Sequence, residues 1–144
     1  MSPFLLDVNV LIALLRQDHV SHRIVKQWFQ RTGARDFVTC PLTEASFVRI
    51  VSNPKFSHPS LDISEAMEML RIVTKLPGHC FWAMDAGFLD AVGPFTERLF
   101  GHQQVTDAHL LGMAVKKKGK LVTLDRAIKA LAGAEFSNHV LLLE

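Results

Sequence analysis

No apolar run in this chain approaches the ~18 residues that a bilayer-crossing helix needs, which excludes a membrane-spanning protein. The start, Met1-Ser2-Pro3-Phe4, has neither the basic segment nor the cleavage site of a secretory leader, and Asp7 interrupts an otherwise apolar stretch. The sequence therefore predicts a cytoplasmic location. Cysteine is scarce: Cys40 and Cys80 stand far apart among apolar or strand-like neighbours, which predicts reduced core residues rather than a disulfide or zinc site. Charge of one sign is also missing. Sixteen basic against 14 acidic side chains leave a net charge of +2, which does not announce a nucleic-acid binder and leaves room for a local basic rim. There is no repeat, low-complexity tract or long linker, and 144 residues suit one domain spanning 1–144.

What is present is a repeated alternation of strand-like and helix-like segments. Phe4-Leu5-Leu6 reads as a buried strand ending at Asp7, followed by helical apolar spacing from Val8 to Arg16. Ser21 is placed to cap a helix presenting Ile24, Val25, Trp28 and Phe29, with Gly33 at its end. Phe37 to Cys40 reads as a second strand, and a helix is expected from Thr43 until Asn53-Pro54 breaks it. Asp62 and Glu65 match a capping box opening a helix to about Leu76, before Pro77-Gly78. A weaker strand is expected over Phe81 to Met84, and a short helix over Pro94 to Phe100. Thr106 is expected to cap a helix from Asp107 to Lys118, closed by Gly119. Lys120 to Leu124 reads as a strand, Arg126 to Leu131 as a short helix, and Val140 to Leu143 as a last strand. Such alternation predicts a three-layer α/β/α fold with a central, mostly parallel sheet of about five strands.

Four acids fall at informative places in this pattern. Asp7 and Asp125 close strands, Glu44 lies just beyond the second strand, and Asp107 opens a helix. Taken singly, Glu44 and Asp107 are ordinary first-turn acids favoured by the helix dipole, and Asp125 could simply cap the helix after it. Asp7 is less easily dismissed, because a carboxylate closing an apolar strand is unfavourable unless paired or metal-bound. In an open parallel sheet, ligands bind at the carboxyl ends of the strands, where strand order reverses. Acids converging there without a cation repel one another, and a divalent ion relieves that repulsion. A donor set of carboxylate oxygens suits Mg²⁺ or Mn²⁺ rather than Zn²⁺.

These segments resemble the PIN-domain family of ribonucleases. Phe4-Leu5-Leu6-Asp7-Val8-Asn9-Val10-Leu11 is similar to its opening motif, and Thr43-Glu44-Ala45-Ser46-Phe47 to its second acidic motif. Val105-Thr106-Asp107-Ala108-His109-Leu110 is similar to the third, and Leu121-Val122-Thr123-Leu124-Asp125-Arg126 to the fourth. Each motif alone is weak, but all four in register along nearly the whole chain are specific. The surroundings Cys40-Pro41-Leu42-Thr43 and Ser52-Asn53-Pro54 resemble the VapC-type toxins of bacterial toxin–antitoxin pairs. The resemblance implies a Mg²⁺- or Mn²⁺-dependent endoribonuclease, held inactive by a VapB-type antitoxin and usually a homodimer. It implies cleavage of structured RNA such as transfer or ribosomal RNA by a metal-activated water, leaving a 5′-phosphate. Asp7, Glu44, Asp107 and Asp125 would be its catalytic and metal-binding acids. Asn9, Thr106 and Thr123 would orient those acids or a metal-bound water.

Other signals have ordinary readings. Lys116-Lys117-Lys118 is first a solvated helix end and second an RNA-backbone contact, and Arg49 could face either the acids or phosphate. His19 and His22 read as surface histidines, and the spacing of His109 turns it off the Asp107 face. Trp28, Phe47, Phe56, Phe81, Trp82 and Phe88 are expected to be mostly core, with part of the Phe81–Phe88 group exposed to an antitoxin segment or a second protomer. Two other functions fit the same residues. One is an aspartyl-phosphate phosphotransferase with Asp7 as nucleophile, which would usually carry a second Asp where this chain has Asn9. The other is an inactive PIN-like scaffold that binds RNA or protein.

Overall fold

The computed structural model describes residues 2–144 and divides them into three layers. The central sheet contains β1 (Phe4–Leu6), β2 (Phe37–Thr39), β3 (His79–Phe81), β4 (Lys120–Thr123) and β5 (Val140–Leu142), all parallel, in the order β3-β2-β1-β4-β5. The helices are α1 (Val8–Leu15), α2 (His22–Arg31), α3 (Pro41–Val51), α4 (Ile63–Thr74), α5 (Phe88–Val92), α6 (Val105–Lys116) and α7 (Arg126–Ala132). Successive strand residues point to opposite faces, so each central strand contributes to two cores. Leu5, Val38 and Leu121 pack beneath α5, α6 and α7 with Val92, Leu111 and Ile128. Leu6, Phe37 and Val122 pack beneath α1 to α4 with Leu11, Phe29, Phe47 and Val73. Burial on both faces explains why the consecutive residues Leu5–Leu6, Phe37–Val38 and Leu121–Val122 of β1, β2 and β4 are all apolar.

Strand order fixes the place of the site. The chain leaves β1 toward β2 on one side and later returns to place β4 on the other. The carboxyl ends of β1 and β4 therefore flank the position where the winding reverses. Leu6 pairs with Val122, and the Asp7 N–H donates to the Val122 carbonyl at 2.9 Å. The first and fourth strands are therefore neighbours.

Several boundaries differ from the sequence-based expectations. Helix α3 starts at Pro41, two residues before Thr43, because proline's fixed φ suits a first helical position and the Thr43 hydroxyl accepts from the Cys40 N–H at 3.1 Å. Strand β3 covers His79–Phe81 rather than 81–84; it is an edge strand whose limits follow its pairing with Phe37–Thr39. The helix expected over Pro94–Phe100 is instead α5 followed by a 3-10 turn, Gly93–Arg98, with Pro94 in its first turn. Helix α6 opens at Val105 behind Gln104, so Thr106 lies inside it and provides no cap. Gly119 closes α6 for reasons of space: a Cβ there would lie 2.8 Å from both the Pro3 carbonyl oxygen and the Trp82 ring. The left-handed residue is Lys118, with φ of 58°.

Candidate active site

Asp7 follows the last residue of β1 and is 3% exposed. Its Oδ1 accepts from the Val8 N–H at 2.7 Å, capping α1, and its Oδ2 accepts from the Thr123 hydroxyl at 2.8 Å. Burial raises its pKa; the bonds from Thr123 and Val8 act the other way, and the charge of Asp125 adds to the rise. Thr123, the fully buried last residue of β4, also accepts from the Asp125 N–H at 3.0 Å and from Asn9 Nδ2 at 3.4 Å. Asn9 Oδ1 in turn accepts from the Leu124 N–H at 3.2 Å. Asn9 and Thr123 therefore tie the ends of β1 and β4 together around the Asp7 carboxylate.

Asp125 is exposed and caps α7, its Oδ1 accepting from the Ala127 N–H at 2.9 Å. Asp107 is the third residue of α6 and half-buried. Its pKa is raised to about 7, first by burial and then by the charges of Asp7 and Asp125. Burial is the larger cause, and the charges of Asp7 and Asp125 add to it, so the three acids lie near enough to repel one another. No ion pair reaches any of the three among the described residues.

Glu44, the fourth residue of α3, stands to one side of this trio. Its Oε2 accepts from the Thr39 hydroxyl at 2.6 Å, and that hydroxyl lies 2.7 Å from His79 Nε2. Burial lowers the pKa of His79, while the charge of Glu44 and the backbone of Thr74 act to raise it. Glu44 and His79 share the wall of a cavity of about 360 Å³ with Leu70, Arg71 and Phe81. The four acids do not form a closed cage: among the described residues no group of three or more His, Cys, Asp or Glu side chains is gathered to ligate an ion directly. A set of mutually repelling, part-open oxygen donors is still the donor chemistry of Mg²⁺, which retains several waters and so needs no closed protein cage.

The remaining residues singled out in the sequence are spread more widely. Thr106 is exposed, one residue before Asp107. Arg49 is exposed in the last turn of α3. Lys116, Lys117 and Lys118 lie at the opposite end of α6 from Asp107, and Lys117 donates to Asp85 Oδ2 at 2.9 Å. His109 packs edge-on against Phe88, 5.2 Å between ring centroids, and burial lowers its pKa. Cys40 is buried as expected, whereas Cys80 is exposed because β3 is an edge strand. Phe47 and Trp82 are core, but Phe56, Phe81 and Phe88 are 67%, 51% and 44% exposed and are not core residues. Thr39 and His79 went unnoticed in the sequence. The one usable signal was the place of Thr39 at the end of its strand, the same place Thr123 holds in β4.

Comparison with known proteins agrees with this fold. The PIN domain family matches residues 4–134. The chain is 40% identical over 128 residues to ribonuclease VapC38 of Mycobacterium tuberculosis, covering 89% of each chain. Among solved structures it is similar to VapBC2 from Rickettsia felis bound to a promoter DNA fragment, with a TM-score of 0.66, 12% identity and 98% of each chain covered. It is also similar to M. tuberculosis VapC20, a toxin that cleaves the sarcin–ricin loop, with a TM-score of 0.62 and 16% identity, covering 90% of this chain and 95% of that one. At those identities the two structures speak for the fold alone.

Proposed function

The chain belongs to the PIN-domain family, and from that premise we propose that it is a Mg²⁺-dependent endoribonuclease of the VapC toxin type. The ribonuclease and toxin class is supported by its relatives at 40% and 38% identity, each bearing the name ribonuclease VapC. The observation that supports the metal dependence is the placement of Asp7, Asp107 and Asp125 near enough for their charges to add to the effect of burial on Asp107, with no basic side chain paired to any of the three among the described residues.

Asp7, Asp107 and Asp125 would hold the ion, with Glu44 reaching it directly or through water. Bound there, Mg²⁺ or Mn²⁺ would supply a more acidic water and charge neutralisation at the scissile phosphate. Thr123 fixes the Asp7 carboxylate and leaves it little rotational freedom. Asn9 holds Thr123 and the Leu124 amide, so the ends of β1 and β4 keep their separation as charge changes between them. Glu44 is aimed by Thr39. The phosphotransferase reading is disfavoured, because the residue two after Asp7 is an amide committed to these structural bonds.

Transfer or ribosomal RNA is the substrate class we propose, a VapB-type antitoxin the inhibitor, and a homodimer the assembly. The partner reading is supported by the relatives that bear the name ribonuclease VapC. No helix among the described residues is long and apolar enough to cross a membrane. The test is incubation with total cellular RNA in Mg²⁺ and in EDTA, using the wild type and Asp7→Asn. Discrete fragments in Mg²⁺ from the wild type alone support the proposal. Equal cleavage in EDTA, or by Asp7→Asn, overturns it.

A further inference from the structure

We propose that His79 is a positioning residue for Glu44, acting through the hydroxyl of Thr39. The inference rests on the reading above that Glu44 serves the metal site. Thr39 Oγ1 lies 2.6 Å from Glu44 Oε2 and 2.7 Å from His79 Nε2. A hydroxyl carries one proton. Donated to the Glu44 carboxylate, that proton leaves Thr39 only as an acceptor toward the imidazole, so His79 Nε2 carries the hydrogen of the second bond. His79 thereby orients the Thr39 lone pairs and, through them, the hydroxyl proton that Glu44 receives. The ring is itself restrained, tilted against Phe37 at 5.3 Å between centroids.

The same arrangement recurs on the other side of β1. Thr39 and Thr123 are the last residues of β2 and β4, the two strands flanking β1, and both are fully buried. Each hydroxyl gives its proton to one acid, Glu44 or Asp7, and each is approached by a side-chain nitrogen, His79 Nε2 or Asn9 Nδ2, with the Asp125 N–H a further donor to Thr123. A packing role alone would not require the His79 ring to reach across from β3 to this one hydroxyl. Its place on the wall of the 360 Å³ cavity, beside Glu44, puts it at the border of the site rather than inside the core.

The test measures uptake of Mg²⁺ alone, without RNA, by calorimetry on the full chain, with thermal unfolding as a check on folding. Wild type is compared with Glu44→Gln, Thr39→Val, Thr39→Ser, His79→Phe and His79→Gln. Loss of such an outer hydrogen-bond partner weakens metal binding roughly 10- to 100-fold, and His79→Phe and Thr39→Val are each expected to show this. The double variant should be no weaker than the weaker single one, because the two act in series. Thr39→Ser keeps the hydroxyl, and His79→Gln places an amide nitrogen near the Nε2 position; both should recover most of the affinity. If Glu44→Gln weakens uptake and His79→Phe does not, the His79 role is overturned while the metal site stands. If Glu44→Gln binds like wild type, Glu44 is no ligand and both readings of it fail. A His79→Phe variant with normal Mg²⁺ uptake and only a raised KM for RNA would make His79 an RNA contact, and would also overturn the proposal.

Discussion

Replacing Asp107 with asparagine should make the metal-free protein more stable, and increasingly so as pH rises. The folded-state pKa of about 7 lies well above the ordinary 3.8. Between those values the folded chain holds a proton that the unfolded chain has released, so this group lowers stability as pH climbs from about 4 to about 7 and adds no further change above that. At about 1.36 kcal/mol per unit the full shift corresponds to roughly 4 kcal/mol. Asp107 is only half-buried, and solvent screening reduces the expected effect to about 2 kcal/mol. For a chain of this length that is a rise in Tm of roughly 4–8 °C. Asparagine has nearly the same shape and cannot ionise. The assay is thermal unfolding in EDTA from pH 4 to pH 8. The gap between variant and wild type should be small at pH 4 and reach its full size by pH 8. Asp7, also raised by burial, titrates in both proteins and largely cancels in the difference. Saturating Mg²⁺ should stabilise the wild type and narrow the gap, since an ion that binds only the folded state stabilises it by mass action. A gap that does not vary with pH, or a variant less stable at pH 8, would refute the reasoning.

Thr123→Val leaves the buried Asp7 Oδ2 and the part-buried Asp125 N–H without their partner; it should lose about 1–3 kcal/mol in urea unfolding, and a wild-type midpoint would contradict it. Gly112→Ala would place a Cβ 2.1 Å from the Ala91 carbonyl oxygen, where α6 crosses α5. Separating the two helices should cost about 1–3 kcal/mol by the same measurement, and an unchanged midpoint would show that the approach is looser. The triple Lys116/Lys117/Lys118→Ala variant should leave the salt dependence of RNA binding unchanged, because these side chains lie at the far end of α6 from Asp107; a slope reduced by two or more would restore them as phosphate contacts.

The strand and helix alternation was legible because buried parallel strands and amphipathic helices have different periods, and the capping box at Asp62 and Glu65 closes as read. The acids were legible because each sits next to a strand or helix end. Asn9 and Thr123 were named as residues orienting the acids and do surround Asp7, whereas the hold on Glu44 was not legible. Thr39 and His79 are 40 positions apart and meet only through the pairing of β2 with β3. Buried and exposed threonines have no distinct local signature, so the special place of Thr39 emerges only once the sheet order is known. Exposure of Phe56 was likewise hidden, since an aromatic in a loop has the same local pattern as one in the core, whereas exposure within the Phe81–Phe88 group was expected and is observed. The displaced boundaries of β3 and α6 have a common cause. Tertiary pairing overrode weak local signals, a lone edge strand in one case and a threonine that caps nothing in the other.

Calorimetry of Mg²⁺ binding at pH 7 and pH 9, in buffers of different ionisation enthalpy, tests most directly whether the Asp7–Asp107–Asp125 cluster is made for a cation. With Asp107 near its midpoint at pH 7, Mg²⁺ uptake should release a substantial fraction of a proton there and almost none at pH 9. No uptake at either pH, or uptake without proton release at pH 7, would contradict the account.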